Sequence, residues 1–118
     1  MEQLNRIELR GRVGNVRLSK VGEDKECCHF SVATNTIYRN QEGTAVEETT
    51  WHSCVLWSSR RYPDLSFIKV GAPLELVGRM RSKKFTSSDG TDRYSYDVWV
   101  NEVRLIPEGE PLRACSTV

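Results

Sequence analysis

The chain has 118 residues, and its 17 basic and 16 acidic side chains leave a formal net charge of +1. This length predicts one domain that buries enough surface to fold alone, and the nearly balanced charge argues against a duplex-DNA-binding domain, which is usually strongly basic. The apolar runs are too short to span a membrane and no signal or transit segment is recognisable, so we expect a cytoplasmic protein without a membrane partner.

Alternation of apolar and polar residues predicts five strands separated by turn residues. The predicted strands span residues 4–18, 26–38, 49–57, 72–85 and 93–106. Gly11 and Gly14 interrupt the first strand, where they indicate the bulge or bend that a small barrel requires. Residues 40–46 form a polar hairpin loop, and Asp89-Gly90 marks a tight hairpin turn between the last two strands.

Residues 58–70 break the strand pattern and predict a short helix. Pro63 suits a first helical turn and Gly71 suits its end. Five strands with one short helix between strands three and four predict an all-β protein with the OB-fold, a partly open five-stranded barrel. We therefore expect an OB-fold domain over residues 1–106. Residues 107–118 contain Pro107, Gly109 and Pro111 and predict a short flexible C-terminal tail.

Aromatic side chains lie in the predicted strands among basic and small polar residues. They are Tyr38, Trp51, Trp57 and Phe85; the neighbouring cations are Arg39, Arg79, Arg81, Lys83, Lys84 and Arg93. Aromatics stack bases, with about 1–3 kcal/mol per base, and cations follow phosphates, so the pattern predicts a single-stranded nucleic acid partner. The same aromatics also suit sheet packing, and the same cations suit an edge that prevents aggregation. Trp99 fits DNA contact and subunit packing equally well.

Five stretches within residues 4–106 follow one another with a recognisable order and spacing. They are NRIELRGRVG, ATNTIYRN, TTWHSCVLW, VGAPLELVGRMRSKKFTSSDGTDRY and DVWVNEVRLI. In this ordered set the chain resembles the bacterial single-stranded DNA-binding proteins. The resemblance implies an OB-fold that binds single-stranded DNA in replication, recombination and repair. It implies base stacking by Tyr38, Trp51, Trp57 and Phe85. Ser53 differs from the arginine often found there, and Tyr38 and Phe85 are smaller than the usual indoles.

The resemblance also implies an assembly and a location. The family commonly forms homotetramers, so we expect self-association as a tetramer or a dimer, with His52 in the core or at the subunit interface. A bacterial, nucleoid-associated location follows. Typical members recruit replication and repair proteins through an acidic C-terminal tip, which this sequence lacks, so recruitment by such a tip is not expected.

Cysteine and histidine residues suggest a metal site only superficially. Cys27, Cys28, His29, His52 and Cys54 lack compact metal-ligand spacing, and neighbours on a strand point to opposite faces. We expect reduced thiols, no metal, no cofactor and no enzymatic activity. Two alternatives stay open. One is a tail-less primosome accessory protein, similar to primosomal replication protein N; the other is a metal-dependent enzyme.

Overall fold

The computed structural model describes residues 1–116 and contains six strands. They are β1 (Ile7–Val21), β2 (Lys25–Arg39), β3 (Ala45–Trp57), β4 (Pro73–Thr86), β5 (Asp92–Leu105) and β6 (Cys115–Ser116). The first five form a sheet in the order β1-β4-β5-β3-β2, and an additional β1–β2 pairing closes it into a barrel. The predicted all-β, five-stranded barrel is confirmed. The strands begin or end up to four residues from their predicted limits.

The barrel closes because β1 bends and pairs with two neighbouring strands. Residues 7–12 pair with β4, whereas residues 12–21 pair with β2, with a shift of register between Val13 and Val16. Gly11 allows the close approach, since a Cβ there would lie 2.2 Å from the carbonyl oxygen of Ala33. The prediction that the glycines of the first strand mark a bend therefore holds.

The core forms from the inward positions of all five strands. Its fully buried side chains include Val32, Leu74, Val98, Cys28 and Cys54. The two cysteines pack as small apolar residues, as predicted. Burial raises the pKa of Cys28 to about 11 and that of Cys54 to about 12, so both thiols stay protonated at neutral pH.

The short helix predicted between strands three and four is wrong. Residues 58–72 connect β3 to β4 through turns. The Ile68 amide donates to the Leu65 carbonyl (3.2 Å), which makes a single turn, but the Gly71 amide then donates to the Val13 carbonyl (2.8 Å). Helix continuation fails because backbone groups that would extend it bond to β1. Leu65 and Ile68 still cover the end of the core, as expected from their apolar character.

The C-terminal segment returns to the barrel at β6, where Cys115 and Ser116 pair in parallel with Thr36 and Ile37 of β2. The predicted flexibility of residues 107–118 stays a prediction, and its last two residues lie outside the described part. Within residues 1–116, no helix has the length and apolar character needed to cross a bilayer.

Candidate nucleic-acid interface

Three adjacent strands direct aromatic and basic side chains to one side of the sheet. Val55 of β3 pairs with Trp99 of β5, and Trp99 pairs with Arg79 of β4. Directly paired residues point to the same side, and the alternation continues along each strand. We call this surface the aromatic–basic face; it comprises Trp51, Ser53, Trp57, Arg79, Arg81, Lys83, Phe85, Arg93 and Trp99.

Trp51 is the most open indole on this face, with 60% of its surface exposed. A Cβ added to Gly14 would lie 2.2 Å from Trp51 Cζ3, so the indole lies directly against the Gly14 backbone. The glycine backbone therefore supports the indole, and the side chain of any larger residue at position 14 would displace it. From the sequence, Gly14 is predictable only as a bend, because the ring that it supports belongs to a residue 37 positions later in the chain.

Trp57 and Trp99 form a second aromatic centre beside two arginines. Their ring centroids are 6.5 Å apart with planes at 50°, and Trp57 is 37% exposed. The Arg81 guanidinium lies 4.0 Å from the centroid of Trp99, and that of Arg79 lies 5.5 Å from it. Such cation–π contacts orient the guanidinium groups, whose edges can then face phosphate oxygens. Trp99 thus lies on the aromatic–basic face.

The β4–β5 hairpin extends this face to Phe85, which is 44% exposed and pairs with Arg93. Its turn is fixed by Asp89, whose pKa falls to about 2 because the Ser87 hydroxyl and the Thr91 amide donate hydrogen bonds to it. Arg93 lies 3.6 Å from the same carboxylate. The Asp-Gly turn predicted from the sequence is confirmed.

Lys84 points to the opposite side of the hairpin from Lys83. Its register partner is Tyr94, and its Nζ lies 3.3 Å from Asp92 Oδ2. Tyr94 and Tyr96 lie on this side as well, 58% and 63% exposed. The exposure of Tyr94 and Tyr96 is not predictable from the sequence, because their alternation with buried Val98 is typical of core positions, whereas the hairpin continues beyond the barrel.

Tyr38 points to the other side of the sheet from the aromatic–basic face, whereas Arg39 points to the same side as Trp51 but lies far along β2. Tyr38 is half-buried opposite Val46, and the uninterrupted β2–β3 register gives it the opposite orientation from Trp51. Arg39 Nη1 donates to the carbonyl of Gly43 (3.0 Å), which closes the β2–β3 hairpin. Arg39 follows Ala33, the partner of Trp51, by six strand residues, or about 20 Å.

His52 lies on the inner side of β3 and is half-buried. Its Nε2 is 2.9 Å from the Thr34 hydroxyl, and burial lowers its pKa. It lines a cavity of about 540 Å³ together with Glu8, Arg10 and Cys115, among others. Over residues 1–116, no three His, Cys, Asp or Glu side chains are grouped closely enough to hold a metal ion.

Comparisons with known proteins identify the family of the chain. The model of the single-strand binding protein family matches residues 4–106. A single-stranded DNA-binding protein of Neisseria meningitidis serogroup A is 34% identical over 106 residues, covering 87% of this chain and 60% of that protein. One from Xanthomonas campestris pv. campestris is 27% identical over 104 residues, covering 87% and 60%. The chain thus spans about 60% of the length of these curated relatives.

A solved structure described as a Plasmodium falciparum SSB complex with ssDNA has the same fold. Its TM-score is 0.78 at 22% identity, and the alignment covers 91% of this chain and 98% of that one. At this level of identity the likeness concerns the fold alone, and it supports the OB-fold prediction.

Proposed function

Because the chain belongs to the single-strand binding protein family, we propose that it binds single-stranded DNA, largely without sequence preference, during replication, recombination and repair. The observation that carries this proposal is Trp51, which lies against Gly14 and keeps 60% of its surface open on a face that also presents cations. An indole supported on one side and open on the other suits stacking of an unpaired base.

The aromatic–basic face supplies both interactions that a single strand requires. Trp51, Trp57 and Phe85 stack bases, while Arg79, Arg81, Lys83 and Arg93 attract phosphates and release counterions. Duplex DNA suits this face poorly because its bases are already stacked on each other. One OB-fold domain of this kind binds roughly 4–16 nucleotides.

Base stacking by Tyr38 and phosphate contacts by Arg39 and Lys84 stay predictions. The contact of Arg39 with Gly43 and that of Lys84 with Asp92 leave each cation partly engaged within the protein. Lys84 is nevertheless 59% exposed, so its ammonium stays open to a phosphate at the edge of the hairpin.

Self-association completes the proposal, as a homotetramer or a dimer with His52 at the interface. The cavity beside His52 contains acidic and basic side chains, among them Glu8, Arg10 and Arg104, which suit a self-complementary contact. Joining several binding faces raises affinity through linked sites. We propose no bond chemistry and no cofactor, a cytoplasmic, nucleoid-associated location in a bacterium, and replication or repair proteins as partners.

The test compares dye-labelled oligo-dT with a duplex of equal length by fluorescence anisotropy at two salt concentrations. We expect tight binding to oligo-dT, at least a hundredfold weaker binding to the duplex by order of magnitude, and weaker binding of both at high salt. Equal affinity for both would contradict a stacking mechanism. Absence of binding to both would favour the primosome accessory function, in which protein partners dominate.

A further inference from the structure

A second cavity opens where β5 separates from β3. These strands pair only at Cys54–Val98 and Val55–Trp99, so the preceding residues of the two strands diverge. The gap has a volume of about 450 Å³ and is lined by apolar Val16, Phe30 and Tyr96 as well as by polar residues. This volume lies in the range of small-molecule sites. We call it the barrel-mouth pocket.

The pocket adjoins the Trp51 platform. Asn15 and Ser31 line it, and the backbone amide of Asn15 donates a hydrogen bond to Ser31 Oγ at 2.9 Å. Ser31 Oγ is also 2.8 Å from the position of a Cβ on Gly14, the residue that supports Trp51. A strand with one base stacked on Trp51 therefore has the pocket within reach of a neighbouring base.

The polar wall of the pocket includes a carboxylate rather than a further cation. Asp97 lines it beside Ser53. Asp97 Oδ1 is buried without a hydrogen bond, 3.6 Å from Arg81 Nε, and the side chain is 27% exposed through its other atoms. A distance of 3.6 Å is an ion pair but exceeds a hydrogen bond. Oδ1 is out of reach of a ligand, but Oδ2 has no hydrogen-bond partner among residues 1–116 and can accept a hydrogen bond from a ligand.

A carboxylate in a DNA-binding groove selects against phosphate and in favour of a hydrogen-bond donor. Among pyrimidines, cytosine presents an exocyclic amine, which Asp and Glu side chains accept, whereas thymine presents a carbonyl oxygen at that position. Adenine also carries an exocyclic amine.

We propose that the barrel-mouth pocket holds one amino-bearing base, with Asp97 accepting its exocyclic N–H. This inference rests on the proposed single-strand binding and adds a local base preference to it. The strand would place a base on Trp51 and the neighbouring amino-bearing base in the pocket, while Arg17 at the rim provides a cation for the flanking phosphate.

The experiment uses three oligonucleotides of equal length at mildly alkaline pH: oligo-dC, oligo-dT and an oligomer of the 2-pyrimidinone deoxynucleoside, which is cytosine without its amine. Competition against labelled oligo-dT gives each affinity. We expect oligo-dC to bind about tenfold more tightly than the 2-pyrimidinone oligomer, the factor that one hydrogen bond to a charged group provides. Equal affinity of these two in the wild-type protein would overturn the inference, and this comparison needs no variant.

Asp97→Asn provides the second arm, with Asp92→Asn on the same strand as its matched control. The neutral amide oxygen of asparagine accepts a weaker hydrogen bond than a carboxylate does, so Asp97→Asn should reduce the preference for oligo-dC over the 2-pyrimidinone oligomer to about threefold or less, while Asp92→Asn keeps the wild-type ratio. An equal weakening of all three oligomers by Asp97→Asn would mean that Asp97 only positions Arg81, and would refute base recognition. If the wild-type protein bound none of the three oligonucleotides, the proposed function itself would be refuted.

Discussion

Replacement of Trp51 by alanine removes the most open stacking surface of the protein. Because one side of the indole lies against Gly14, one base can stack on the other side. The expected loss is therefore the single-base value, about 2 kcal/mol within the range of 1–3, which corresponds to about 30-fold weaker binding. Anisotropy of dye-labelled oligo-dT measures this loss without relying on the tryptophan signal.

The same substitution should leave the protein folded. Since 60% of Trp51 is exposed, it buries about 80 Å² of the roughly 200 Å² that a fully buried indole would bury. At about 25 cal/mol per Å² this contributes at most about 2 kcal/mol, less than the 5–15 kcal/mol typical of domain stability. Urea unfolding checks this expectation.

The matched control is Tyr94→Ala, which removes another exposed aromatic ring, on the opposite side of the β4–β5 hairpin. We expect it to change oligo-dT affinity by less than about threefold, because the single-base stacking term is absent there. If folded Trp51→Ala binds as tightly as the wild type, or if Tyr94→Ala loses as much, the assignment of stacking to the aromatic–basic face is refuted.

Three further tests examine the parts of the face separately. Gly14→Ala should weaken oligo-dT binding by about tenfold, because its Cβ would meet the Trp51 ring at 2.2 Å and displace it; unchanged affinity would show that the ring needs no such support. Lys83→Ala should reduce the slope of log affinity against log salt concentration by about 0.7, the value of one phosphate contact on a single strand. Lys84→Ala should change this slope less, because Lys84 points to the other side of the hairpin. Equal changes in the two variants would contradict the placement of Lys83 alone on the aromatic–basic face. Trp99→Leu should lower affinity severalfold and reduce the effect of a second Arg81→Ala substitution, because the indole orients that guanidinium; additive effects in a double-mutant cycle would refute this coupling.

The strands and the barrel could be predicted from the sequence because local signals dominate there. Alternation marks each strand, and the Asp89-Gly90 turn selects its hairpin by backbone preference alone. The connection over residues 58–72 could not be predicted, because its backbone hydrogen bonds go to β1 and to other residues of the connection, as the Gly71–Val13 bond shows. A propensity for helix is overridden by such tertiary bonds.

The candidate site was predictable by residue type and only partly by position. Strand alternation correctly groups Trp51 with Trp57, and Phe85 with Lys83, since each pair lies on one strand. The support of Trp51 by Gly14 and the contact of Arg81 with Trp99 join different strands, so they depend on registers that the sequence does not specify. Tyr38 shows the converse: the family resemblance implies base stacking there, yet the strand register turns Tyr38 away from Trp51.

The most direct test of the central claim is a titration of the wild-type protein with oligo-dT, followed by its intrinsic tryptophan fluorescence. All three tryptophans, Trp51, Trp57 and Trp99, lie on the aromatic–basic face, so base stacking there should quench most of the emission, and a duplex of equal length should quench little. Strong quenching that saturates at a fixed number of nucleotides per chain is the predicted result. Binding of oligo-dT without quenching would contradict the account, because the strand would then contact some other surface.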